Sequence, residues 1–105
     1  MAWIYLLIAG LFEIGFAVLL KPAEGFTRIW PSFGVVVFGF VSLYFLAIAA
    51  REIPMGTAYL VWMGIGAIGA AIFGILVYNE PANAFRLFFI ATLIASIIGL
   101  KFATP

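Results

Sequence analysis

A chain of 105 residues that is 68% hydrophobic, 9% charged and has a mean hydropathy of +1.32 falls outside the soluble globular class, in which about a quarter of residues carry charge. A net charge of +1 leaves no basic arm or stripe for nucleic acid. Cysteine and histidine are both absent, which removes disulfide frameworks, Cys/His zinc sites, thiolate nucleophiles and imidazole bases together, and neither a metal nor a cofactor is expected.

The first apolar run covers about residues 3–20 and is closed by Lys21-Pro22-Ala23-Glu24-Gly25. It lacks a positively charged leading segment and a carboxylate interrupts it, so it reads as a retained membrane span rather than a signal peptide. That carboxylate, Glu13, is the only charge from Ala2 to Leu20. On a spanning helix rising ~1.5 Å per residue it lies roughly 10–15 Å from either end of the run. Inserting a charge at that depth costs about 2.5–3.5 kcal/mol or more, which makes an intramembrane carboxylate a functional-site hypothesis by default. The alternative is a structural carboxyl hydrogen-bonded inside a bundle. Ala9, Gly10, Phe16 and Ala17 share the face of Glu13, and Gly10 and Phe16 are candidates to line a pocket beside it.

The second run, about 30–50, starts at Trp30-Pro31, where proline is tolerated in a first helical turn. Ser42 and Tyr44 are its interior polar groups. Ser42 can orient a carboxylate on a neighbouring helix or bond back to its own. Arg51-Glu52-Ile53-Pro54 then turns the chain into a third run, about 55–78. At ~100° per residue Tyr59, Trp62, Met63, Gly66 and Ala70 fall on one face of that run. An aromatic pair beside a buried carboxylate suits a lipophilic cation, ring faces giving cation–π attraction and the carboxylate neutralising charge. The competing reading makes Tyr59 and Trp62 an interfacial aromatic belt. Gly64, Gly66, Gly69 and Gly74 weaken this helix by roughly 1 kcal/mol each relative to alanine in water, and mark either close packing or a bend.

After Asn79-Glu80-Pro81-Ala82-Asn83 the fourth run extends over about 84–101. Ala91, Ala95 and Gly99 recur at i, i+4 spacing with Thr92 and Ser96 alongside, a small-residue stripe assigned to a dimer interface. Glu24, Glu52 and Glu80 are loop residues, solvated or paired with Lys21, Arg28, Arg51 and Arg86. Glu80, at the close of the third run, is placed to lock its loop. The four runs, each roughly 17–24 residues, define one all-α transmembrane domain over 1–105, because helices alone satisfy the backbone in ~30 Å of hydrocarbon at this length.

Four spans put Arg51 and Lys101 on one side of the membrane and Lys21, Arg28 and Arg86 on the other. Two basic residues against three is almost no bias, so insertion in both orientations is expected. Two copies then form an antiparallel homodimer about a pseudo-two-fold axis in the membrane plane. The small size points the same way, since four short helices have almost no interior left for a pathway. The alternative is a fixed orientation and an accidental balance. A single carboxylate can be neutralised by a proton or by a cation but not by both, which makes proton-driven cation exchange the expected mechanism. No second acid, base or nucleophile stands within a span, so an enzyme is not expected.

Ala9-Gly10-Leu11-Phe12-Glu13, Leu20-Lys21 with Gly25-Phe26-Thr27-Arg28, Ile53-Pro54-Met55-Gly56-Thr57-Ala58-Tyr59, Trp62 and the closing Gly99-Leu100-Lys101 carry a specific resemblance along essentially the whole chain. The chain resembles the small multidrug resistance family, four-helix proton-coupled exporters of bacterial inner membranes that work as antiparallel dimers. Gly64-Ile65-Gly66-Ala67-Ile68-Gly69 and Gly99-Leu100-Lys101 resemble its guanidinium-exporter subtype. The resemblance implies that Glu13 binds proton and substrate in turn and that Ser42, Tyr59 and Trp62 line the pocket. Phe16 stands where that subtype commonly has Trp, and Met63 where it has a small hydroxyl residue. Both changes make the pocket less polar, so tolerance of alkylated guanidinium or quaternary ammonium ions is expected beside guanidinium. The other readings are a subunit of a heterodimeric exporter, a primarily quaternary-ammonium exporter, and a membrane assembly or lipid-handling protein that uses Glu13 structurally.

Overall fold

The computed structural model describes residues 1–104, which form four helices and their connections. They are α1 (Ala2–Ala23), α2 (Ile29–Ala49), α3 (Met55–Val77) and α4 (Ala84–Ala103), each long and apolar enough to cross a bilayer.

The helix ends show how local chemistry sets the boundaries. α1 continues beyond Leu20 through Pro22, although proline has no N–H to give to the carbonyl four residues back. That carbonyl belongs to Val18, and it accepts instead from the hydroxyl of Tyr78 at 2.9 Å. The helix stops at Glu24, which turns into the left-handed region (φ 49°) and returns its N–H to the Lys21 carbonyl at 3.1 Å. α4 begins where Asn83 caps it, the Asn83 Oδ1 accepting from the Arg86 N–H at 2.9 Å.

α1 and α2 pack as an antiparallel pair, α3 lies along α1, and α4 packs along α3 alone. The core gathers Leu6, Ala9, Leu46, Ala49, Ala58 and Val61, with Ile53 folded back from the α2–α3 turn. Ala9, Ala49 and Ala58 are wholly buried, and their small side chains let the backbones close up. A row of rings, Tyr5, Phe45, Phe12 and Phe38, fills the α1–α2 seam with successive centroids 6.0, 6.3 and 5.5 Å apart.

The four glycines of α3 resolve in favour of close packing. α3 is one unbroken helix, and side chains of Ile97, Glu13, Ile14 and Glu80 lie where Cβ atoms on Gly64, Gly66, Gly69 and Gly74 would stand. The whole chain is a slab of 42 × 35 × 17 Å. Its thinnest dimension is under two helix diameters of ~10–12 Å, too little to surround a chamber.

Candidate functional site

Glu13 sits near the middle of α1, half-buried, and its position is made by three glycines along the α1–α3 seam. Gly10 of α1 receives Ile65 of α3, and Gly69 of α3 receives Ile14 of α1. Between these contacts the Glu13 side chain lies across Gly66, where any added Cβ would collide with its Cγ. The missing side chain on α3 therefore creates the groove in which the carboxylate stem runs. Among the described residues it is the only charged group more than one turn from a helix end.

Beside this seam a polar relay links all three packed helices. The Trp62 indole N–H donates to Ser42 Oγ at 2.8 Å, and Ser42 Oγ–H donates to the Ala9 carbonyl at 2.7 Å. Ser42 is fully buried, and so is its bond to the Ala9 carbonyl, whereas Trp62 at the other end of the relay is half-buried. The relay ends on the backbone one helical turn before Glu13 rather than on its carboxylate. Tyr59 stands 5.5 Å from Trp62, ring to ring, and is 45% exposed. Met63, one residue on, is 48% exposed. These three side chains thus run from the buried relay outward to an open face of α3.

The other residues singled out from sequence fall in different surroundings. Gly10 is buried against Ile65 within the chain. Phe16 turns toward α2 and lines a shallow groove of about 280 Å³ with Val36, Phe40 and Phe26. Ala91, Ala95 and Gly99 are all exposed on α4, and a Cβ on Gly99 would meet nothing within 4 Å.

Two contacts fasten the far end of the bundle, the first unforeseen and the second among the pairings that the loop charges offered. The first is the Tyr78–Val18 bond, over whose ring the Lys21 ammonium sits at 4.7 Å. Pro22 is its signal in the sequence, since a proline inside a helix frees a carbonyl. The second is an ion pair, Arg86 Nη2 to Glu80 Oε1 at 2.8 Å, with Arg86 Nη1 also donating to the Pro81 carbonyl at 2.8 Å. Glu80 packs against Gly74 and so fastens the α3–α4 loop, as its place at the end of the third run suggests.

Four apolar spans, the first with one carboxylate at its middle, define a class: the multi-pass membrane proteins. The chain belongs to the small multidrug resistance family, described as "Small Multidrug Resistance protein", whose pattern matches residues 1–93. The likeness extends along the whole sequence to proteins named guanidinium exporter. That of Proteus vulgaris is 50% identical over 104 residues, covering 99% of this chain and 100% of the relative. Those of Citrobacter freundii and Escherichia coli K12 are each 51% identical over 104 residues, covering 99% of both chains. The protein is accordingly a multi-pass protein of the bacterial inner membrane, and the resemblance read from its motifs is borne out.

Proposed function

We propose that the protein exports guanidinium, and alkyl-substituted guanidinium or quaternary ammonium ions beside it, in exchange for protons. The observation that carries this reading is Glu13, alone at mid-span and seated across Gly66 on the seam of α1 and α3. Such a carboxylate binds a proton or a cation, and each expels the other. A site that crosses the membrane poorly while empty and charged then couples the two flows. The names of the relatives in P. vulgaris and E. coli supply the substrate class.

In this reading Trp62 and Tyr59 offer ring faces to the cation. Ser42 holds α2 and α3 to the turn of α1 that precedes Glu13, and so fixes the direction in which the carboxylate leaves the helix. Met63 adds a soft apolar wall beside Trp62, and Phe16, which faces the α1–α2 groove, adds apolar surface on the other side of α1; both favour alkylated cations over a strict bidentate fit to guanidinium. The working unit is an antiparallel homodimer inserted in both orientations, joined through Ala91, Ala95 and Gly99. A slab 17 Å thin is consistent with a pathway that needs two copies, as is the near-balance of loop charges.

The test is electrical. Purified protein reconstituted in liposomes should give substrate-evoked currents with guanidinium and with a tetraalkylammonium ion, and Glu13→Gln should abolish both. Guanidinium currents alone would make Phe16 and Met63 neutral to selectivity. Full currents in Glu13→Gln would assign Glu13 a structural role. Silence of the protein alone would point to a heterodimeric exporter.

A further inference from the structure

A cleft lies between α1 and α4 because α4 packs along α3 alone and leaves α1 uncovered. α3 is its floor. Its deeper part, about 360 Å³, is lined by Ile14, Ile68, Ile72 and Ile94, and its outer part, about 210 Å³, by Trp3, Val61 and Lys101, with Ile65, Ile97 and Ile98 common to both. The two parts are therefore one channel-like groove with apolar walls throughout.

Its dimensions and its single charge identify an occupant. On α1 the wall runs eleven residues from Trp3, at the start of the helix, to Ile14 at its middle, ~16 Å at 1.5 Å per residue and about half of the ~30 Å hydrocarbon core; on α4 it runs from Lys101, near the end of the helix, to Ile94 at its middle. The α1 and α4 walls thus reach from the membrane surface to the midplane, the span of one leaflet, while the α3 floor continues past Gly66 to Ile72. At its mouth the Lys101 ammonium is held 5.3 Å from the Trp3 ring and 5.4 Å from the Phe102 ring. Among the described residues it has no carboxylate partner. Thr104, whose hydroxyl is 3.3 Å from that of Thr57, ties the end of α4 to the start of α3 at this end of the groove. A wholly apolar slot of one-leaflet depth with a lone cation at the surface is complementary to a lipid that carries a negative headgroup.

We propose that this groove holds one acyl chain of an acidic phospholipid, with the lipid phosphate against Lys101. The site is distinct from the α4 stripe. At 100° per residue the groove-lining side chains Ile94, Ile97, Ile98 and Lys101 are centred about 110° around the helix from Ala91, Ala95 and Gly99. Lipid and a second copy can occupy α4 together, and neither the site nor its test depends on what the protein transports.

Native mass spectrometry of protein extracted from vesicles of equal phosphatidylglycerol and phosphatidylcholine reads the site directly. The expected result is one retained phosphatidylglycerol per chain, about fivefold favoured over phosphatidylcholine, as one lysine at the surface supplies. Lys101→Gln should retain a lipid but lose the preference, and Ile98→Trp, which fills the groove, should retain none. Equal retention of the two lipids by the unaltered protein, or an unchanged preference in Lys101→Gln, overturns the proposal even if Ile98→Trp fails to insert. So does a bare chain whose Ile98→Cys variant, in a sequence with no other cysteine, forms a disulfide with a second copy, because a partner helix then fills the groove.

Discussion

The two ends of the chain's packing order, the α1–α3 seam and α4, differ in almost everything except hydrophobicity. Along the seam Gly10, Gly66 and Gly69 bring helices close enough that each absent side chain is replaced by one from across the interface. α4 buries none of its residues and packs along α3 alone, reaching α1 only where Lys101 meets the Trp3 ring, and Gly99 looks onto open space. Small residues therefore play two roles in one sequence: on α1 and α3 they are filled from within the chain, and on α4 they form a surface that only something outside it can fill. The seam holds a carboxylate still. α4 is free to answer to whatever covers it.

The strongest way to break this contrast is to put the same large residue on both glycine classes. Gly10→Leu drives side-chain atoms into Ile65, a clash worth the upper end of the ~1–3 kcal/mol typical of overpacking. Gly99→Leu adds the same atoms where nothing lies within 4 Å of the first of them. Helicity followed through detergent-induced unfolding should fall early for Gly10→Leu and stay unchanged for Gly99→Leu. Single-molecule counting in vesicles should show the reverse order for self-association, with Gly99→Leu the more monomeric. Equal loss of fold in both variants would erase the distinction.

The next effect is smaller and lies on the seam side only. Ser42→Ala strips the Trp62 indole N–H and the Ala9 carbonyl of a shared buried partner, at a cost of about 1–2 kcal/mol in a membrane setting. Thr92→Val on α4 removes only a bond from Thr92 to the Phe89 carbonyl of its own helix, at an exposed position, and should change stability by a few tenths of a kcal/mol at most. A double-mutant cycle sharpens the reading. Trp62→Phe and Ser42→Ala should be strongly non-additive, since either one breaks the same relay.

How much of this was legible in the sequence follows from which physics each feature uses. The four spans depend on length and hydropathy alone, so runs at 3–20, 30–50, 55–78 and 84–101 foreshadow α1 to α4 within a few residues. The isolation of Glu13 and the small stripe of α4 are likewise one-dimensional facts. The acceptor of Ser42 is not, because it depends on how α1 and α2 are rotated about their axes, and a shift of one residue would have carried the hydroxyl past the Ala9 carbonyl. The α3 glycines gave two readings because a bend and a close contact demand the same residue; the neighbours Ile97, Glu13, Ile14 and Glu80 choose the second. Tyr78 reaching Val18 across 60 positions needs the fold itself, although Pro22 announces that a carbonyl will be free.

That last pair makes a quantitative test at the end of the seam. Tyr78→Phe removes the only donor that the Val18 carbonyl has gained in place of the missing Pro22 N–H, a loss of about 0.5–1.5 kcal/mol. Pro22→Ala restores a backbone N–H at that position. In the Pro22→Ala background the Tyr78→Phe change should therefore cost less than in the native sequence, by most of its original effect. Equal costs in the two backgrounds would mean that the tyrosine acts through its ring, stacked under Lys21 and edge-on to Phe73 at 5.5 Å, and not through its hydroxyl.

The smallest expected effect is at the join between the two regions, where the α3–α4 loop holds α4 to the rest. Arg86 bonds both Glu80 and the Pro81 carbonyl, but the side chains of Arg86 and Glu80 are 30% and 38% exposed, and solvent screens a pair of that kind. Its worth is about 0–1 kcal/mol and should shrink as salt is raised. Glu80→Gln keeps the shape that packs against Gly74 and removes only the charge, whereas Glu80→Ala removes both. The first should barely alter stability at any salt concentration, and the second should cost more by the packing that it loses. If Glu80→Gln were instead as damaging as Gly10→Leu, α4 would be held by charge rather than left free along α3, and the division of the molecule into a fixed seam and an open fourth helix would fail at its hinge.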